Sequence, residues 1–219
     1  MVQHVALTCA HPSVEEAYMP QCRIDTQSQT NPRLPPGQHL VTNFPVLHVG
    51  PTPSVDLKTW QFKVIGLVKG ETSYTYDRLT SGAILPISTT QADFHCVTTW
   101  SQLNNVWQGI KFKDLFAQLE VHPRATFVMA HCAYGYTTNI PLADLLGEQV
   151  LLAWGRNGAT LSPEHGYPLR LIVPHLYAWK SAKWIHAIEF MAEDLPGYWE
   201  QRGYHMYGDP WREQRYAWD

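Results

Sequence analysis

Charge and cysteine are both scarce in this sequence. Of its 219 residues only 16% are charged, 16 Lys and Arg against 19 Asp and Glu, for a formal net charge of -3. No basic tract gathers the cations, so binding nucleic acid by neutralising phosphates is not expected. The four cysteines, Cys9, Cys22, Cys96 and Cys132, are too few and too scattered for a disulfide framework in a chain this long. A reducing cytoplasm is the expected compartment. No run approaches the roughly 20 apolar residues of a membrane-spanning helix. The opening "MVQHVALTCA" lacks a basic n-region, a long apolar stretch and a twin-arginine pair, so no export signal is read.

Several chemistries lack their motifs. GxGxxG and GxxxxGK[ST] do not occur, which leaves nucleotide cradling by those loops unsupported. HExxH and CxxC are missing, so the common zinc spacings fail. CxxCH and GxSxG are missing too, which sets aside covalent haem attachment and the hydrolase nucleophile elbow.

What is present is apolar and aromatic. The chain is 45% hydrophobic, with nine Trp, eleven Tyr, sixteen Pro and fourteen Gly. That suffices for one sizeable core under long loops. Residues 1–38 are poor in apolar periodicity and include the polar run "DTQSQTNPRLPPGQ", read as a flexible lead-in. Residues 39–219 form the expected domain. Strands are expected in "WQFKVIGLV", "ADFHCVTTW", "ATFVMAHCA", "QVLLAWG", "LRLIVP" and "KWIHAIEFM". "KFKDLFAQL" has helical apolar spacing, and "PLADLL" opens on Pro and closes at Gly147. Without alternating strand and helix units of βαβ length, the fold class is α+β rather than doubly wound. From Glu193 onward the chain is an aromatic, polar tail without a period, expected to pack back near the mouth of a site.

Cys96, in "DFHCVTTWS", is the residue hardest to place. Read alone it is a small buried hydrophobe, the common fate of a free cysteine, or a thiolate bonded to something. The stretch "SPEHGYPLRLIVPHLYAWKSAKWI" clusters His165, Arg170, Lys180, Ser181 and Lys183 around an apolar strand, and "NFPVLHVGPTP" adds Asn43 and His48. Together, and in this order, these stretches resemble the molybdopterin-binding catalytic domain of the sulfite oxidase family, from about residue 40 to 216. The resemblance implies a mixed, strand-rich sulfite oxidase catalytic fold with short helices and long loops. It implies a cofactor of molybdenum with molybdopterin and oxygen-atom transfer on a small sulfur- or nitrogen-containing substrate. Cys96 stands where the family has its metal ligand, a soft anionic donor suited to the metal. Asn43, His48, His165, Arg170, Lys180, Ser181 and Lys183 stand where it holds the cofactor. Tyr136, in "GYTTNIPL", stands where a phenol lies over the reactive face.

The pattern is also broken. Leu47 stands where sulfite-oxidising members carry arginine, which weakens the case for a dianion. The immunoglobulin-like dimerisation domain and a fused haem domain are not found, so a monomer or a differently built dimer is expected, with a separate electron donor or acceptor protein. Two other classes are weighed: a non-catalytic pterin-binding scaffold or carrier, and a metal hydrolase with His131, His165 and His175 as ligands.

Overall fold

The computed structural model describes residues 31–219. Cys9, Cys22 and most of the expected lead-in lie outside the described residues. Residues 31–38 lie against the body: Leu34 and Gln38 are buried, and Arg33 pairs with Asp93 at 2.5 Å.

Among the described residues, eleven strands form two sheets. The first sheet contains β1 (His39–Leu40), β4 (Ile87–His95), β5 (Trp100–Lys111), β8 (Leu151–Arg156), β9 (Ala159–Thr160) and β10 (Arg170–Ile172). β4 pairs antiparallel along one edge of β5, while β1 and β8 share the other edge. The second sheet runs β3 (Thr72–Thr75), β2 (Gln61–Gly66), β11 (Ile185–Met191), β6 (Phe127–Cys132), β7 (Thr137–Pro141). Among the described residues there are three short α-helices, α1 (Tyr76–Thr80), α2 (Phe112–Phe116) and α3 (Leu142–Leu145). The strand-rich α+β class is as expected, and α2 and α3 fall inside the two segments of helical spacing.

The apolar run of β8 shows why this arrangement holds. Successive strand residues point to opposite faces. Leu152 and Trp154 enter one core, packed with Phe62, Val128, Ile188 and Phe190 of the second sheet. Leu151 and Ala153 enter a second core, with Phe94, Trp100 and Trp107. Phe44, in the loop after β1, packs on that second core. Both faces of β8 are thus buried, so its sequence is apolar without alternation. Each fully buried large side chain contributes roughly 1.5–3 kcal/mol.

Two segments differ from the sequence reading. "ADFHCVTTW" is not one strand: β4 ends at His95, and Cys96 opens a tight turn. The turn is closed by Cys96 N–H to the Trp100 carbonyl at 2.8 Å and Thr99 N–H to the Cys96 carbonyl at 3.0 Å. Thr99 takes a positive φ of 71° there. The longest strand, β5, has no clear alternation in sequence. Its Gln102 and Asn105 are buried polar residues, satisfied by Arg156 of β8, whose guanidinium donates to both side chains.

Candidate active site

The turn after β4 opens into a cavity of about 340 Å³. That lies in the range of ~300–1,000 Å³ typical of ligand pockets. Its floor is the second core. Its walls come from the loop after β1, the segment between β10 and β11, and the tail. Cys96 lines it and is only 7% exposed. Its Sγ lies 3.2 Å from the Thr98 hydroxyl. Burial pushes the thiol pKa up, opposed by hydrogen bonding from Thr98 and the Val97 backbone.

Among the described residues lining the cavity there are cations and no Asp or Glu. Lys183 donates from Nζ to the Glu164 carbonyl at 2.7 Å. Burial and the nearby Arg170 push its pKa down to about 7. Arg170 is buried and stacked near Phe94 and Trp107, each ring centre 5.2 Å from its guanidinium carbon. Its two terminal nitrogens donate to the carbonyls of His165 and Ser181, at 2.8 and 2.9 Å. The fork expected for a phosphate is therefore spent on bracketing two loops. Burial and then Arg156 push its pKa down to about 9, so the site gains positive charge from it at neutral pH.

His165 donates or accepts at both ring nitrogens, to Ser162 Oγ at 2.9 Å and the Phe44 carbonyl at 3.1 Å. A carbonyl only accepts, so Nε2 carries the proton and Nδ1 accepts from Ser162. Burial lowers its pKa. His48 Nδ1 lies 2.9 Å from the Gly50 carbonyl, which leaves Nε2 as an acceptor in the neutral ring. Ser181 is buried at the cavity wall, its Oγ accepting from Val173 N–H. Tyr136 lines the cavity with its ring, but its hydroxyl donates to the Trp179 carbonyl at 2.6 Å. Burial and then Glu200 raise its pKa well above normal. The phenol is not a base at neutral pH.

Two expected residues are not brought to this cavity. Asn43 is exposed in the loop, outside the lining, although its neighbour Phe44 is part of it. The side chain of Lys180 is fully buried behind the wall, paired with Glu200 at 2.6 Å. Packing decides this: Lys180 and Lys183 are three apart in an irregular segment, and only the second faces the cavity. The histidines weighed as zinc ligands are apart as well. His131 pairs with Glu189, and His175 with Asp144, each at 2.9 Å. Among the described residues no cluster of three His, Cys, Asp or Glu is placed to hold a metal. Cys132 is a core residue.

Sequence reasoning expected the aromatic tail near the mouth of a site but did not single out Trp179, Trp199 and Tyr204, which form an aromatic wall. Tyr204 stacks on Trp199 at 4.9 Å and meets Trp179 edge-on at 5.1 Å. The only signal was the density of aromatics in the tail.

Trp100 Nε1 and Arg170 Nε are buried donors without partners among the described residues, and both residues line the cavity. Orphaned donors, desolvated cations and a carboxylate-free lining fit an anionic group rich in acceptors. The Cys96 thiol supplies one soft donor for a metal such a group carries.

The fold and this site define a domain built to hold an anionic cofactor, and comparison with known proteins is specific about which. The family model described as oxidoreductase molybdopterin binding domain matches residues 49–199, and the chain belongs to that family. It is 46% identical over 194 residues to the uncharacterized oxidoreductase YuiH of Bacillus subtilis, covering 88% of this chain and 96% of that one. It is 32% identical to a putative protein-methionine-sulfoxide reductase subunit of Azospira oryzae, over 70% of this chain and 57% of that one. The sulfane dehydrogenase SoxCD structure from Paracoccus pantotrophus superposes with a TM-score of 0.58 at 23% identity, over 65% of this chain and 40% of that chain, which speaks to the fold. The protein is a molybdopterin-dependent oxidoreductase, and its cofactor is the molybdenum cofactor.

Proposed function

We propose that this enzyme transfers an oxygen atom to or from a small sulfur- or nitrogen-containing substrate, with Cys96 as the protein ligand to molybdenum. The observation that carries this reading is the Cys96 thiol facing a cavity whose described lining has cations and no carboxylate. Bound there, the cofactor supplies a two-electron couple between the +6 and +4 states of the metal.

The chain's own residues supply binding and orientation. Lys183 offers a charge-assisted hydrogen bond to an anionic acceptor, and Trp100 Nε1 a neutral one. Arg170 fixes the loops carrying His165 and Ser181 and would add positive potential to the cavity that holds the cofactor. Tyr136 holds the wall through Trp179, and its phenol oxygen keeps lone pairs to accept a hydrogen bond. Leu47, half exposed in the lining, offers no charge-assisted bond to a dianion. That favours an uncharged S-oxide or N-oxide over sulfite. Electrons pass to or from a separate carrier protein, whose potential sets the direction. The free thiol of Cys132 suits a reducing cytoplasm.

Cys96→Ser tests the ligand. It replaces a soft thiolate with a hard alcohol of similar size. We expect circular dichroism and thermal midpoint near those of the parent, with turnover of dimethyl sulfoxide, trimethylamine N-oxide or sulfite lost by at least ~100-fold. Full activity in this variant sinks the ligand assignment. A molybdenum-loaded parent inert to all three substrates sinks the oxygen-atom-transfer reading.

A further inference from the structure

Behind the aromatic wall lies a buried ion pair that the cofactor chemistry does not use. The side chains of Lys180 and Glu200 are both 0% exposed, 2.6 Å apart. Lys180 Nζ also donates to the Asn139 carbonyl at 2.8 Å, the Asn139 side-chain oxygen at 2.9 Å and the Met206 carbonyl at 2.7 Å. One ammonium thus ties β7, the segment before β11 and the tail together. Glu200 Oε1 also accepts from Trp179 Nε1 at 2.8 Å and from the Thr138 hydroxyl at 3.2 Å.

These contacts converge on the cavity wall. Trp179 is held at its indole nitrogen by Glu200 and at its carbonyl by Tyr136. Gly208 closes on its ring: a Cβ there would come within 2.6 Å of Trp179 Cζ2. Trp199 precedes Glu200 in sequence, so fixing the carboxylate fixes the ring beside it. Tyr204 stacks on Trp199 in turn. A buried ion pair is a weak source of net stability, because desolvation offsets its attraction, but it strongly disfavours arrangements that separate the charges. Here the separated arrangement is the tail lifted off the body, which takes Trp199 and Tyr204 out of the wall.

We infer that Lys180 and Glu200 are positioning residues, which hold the Trp179, Trp199 and Tyr204 wall against the site, and that Lys180 makes no contact with the cofactor. The inference rests on the cavity being the place of chemistry. It assigns the tail between Gly197 and Gly208 to the substrate side of the enzyme.

The test uses the full-length holoenzyme with Lys180→Met and Glu200→Gln combined, which removes both charges at nearly constant volume. Lys180→Met alone strands a buried carboxylate and is the variant at risk of not folding. Three readouts are taken. Pterin content after gel filtration is expected to stay within about twofold of the parent, since no cofactor contact is lost. Amide hydrogen exchange in residues 197–208 is expected to quicken at least ~10-fold, with β5, β6 and β11 unchanged. KM for dimethyl sulfoxide, with a reduced viologen as donor, is expected to rise about fivefold or more while kcat changes by less than about twofold. Loss of pterin with unchanged exchange would overturn the inference and return Lys180 to the cofactor. Unchanged exchange or an unchanged KM, with only the thermal midpoint lowered, would reduce the pair to a staple and overturn it as well. Where the parent is inert toward dimethyl sulfoxide, trimethylamine N-oxide replaces it; a parent inert toward both falsifies the proposed substrate class instead, and the exchange and pterin readouts then decide the positioning role.

Discussion

Two cysteines of nearly equal burial have opposite prospects here. Cys132 sits in the core between the sheets, where burial pushes its thiol far up and nothing can reach it. Cys96 is raised for the same reason but faces the cavity, with Thr98 and a backbone amide already aimed at its sulfur. Access, more than acidity, separates the candidate ligand from the filler. Lys183 is the matching feature on the cationic side, and it makes a pH prediction. Its folded pKa of about 7 lies below the ordinary 10.5. Above pH 7 the unfolded chain therefore binds a proton that the folded chain has released, so stability rises with pH. The window ends near 9, where the two buried thiols act in the opposite sense: they stay protonated in the fold and ionise on unfolding. The thermal midpoint of cofactor-free protein should rise between pH 7 and 9, and that of Lys183→Met should be flatter. A parent and variant with parallel profiles would show that Lys183 is not desolvated.

At the scale of elements, the site depends on where β4 and β5 break. Their pairing shifts register between Ala92 and Phe94, and β5 shifts against β8 between Gln108 and Gly109. The second shift needs a glycine. A Cβ on Gly109 would lie 2.1 Å from the Leu152 carbonyl oxygen, a backbone atom in a fully buried strand. Gly109→Ala should cost about 3 kcal/mol or more, from forced separation of two strands that share both cores. Thermal unfolding should show a fall of roughly 6–12 °C for a chain of this size. A shift of a degree or less would mean that the sheet yields easily there. The turn at Cys96 is supported from outside the sheet as well. Gln38 donates to the Cys96 carbonyl at 3.0 Å and accepts from Ser101, which in turn bonds His95. Residues just before β1 thus help set the backbone of the candidate metal ligand.

At the scale of the whole molecule, the irregular tail is a structural part of the enzyme. It carries Glu200 beneath the wall and Trp199 and Tyr204 within it. Truncation after Leu195 removes all three and leaves Lys180 buried without its counter-ion. Pterin retained through gel filtration should then fall several-fold, while the far-ultraviolet dichroism of the two sheets persists. Unchanged retention would show that the tail does not help hold the cofactor. Much of this was legible from the chain alone. The apolar runs marked β2, β6, β8, β10 and β11, because strands buried on one or both faces must be apolar there. The ordered set of stretches around Cys96, His165 and Lys183 pointed to the cofactor, because side chains that meet a fixed chemical group recur at fixed places. What sequence order could not decide was which way each polar side chain turns. Lys180 looked like a twin of Lys183, Arg170 like a free fork, and Asn43 like a contact. Only the packed structure places a buried carboxylate behind Lys180, two carbonyls on Arg170 and solvent around Asn43. Those outcomes are set by partners up to 41 residues away for Lys180, and a long-range partner leaves no local period in the sequence to read.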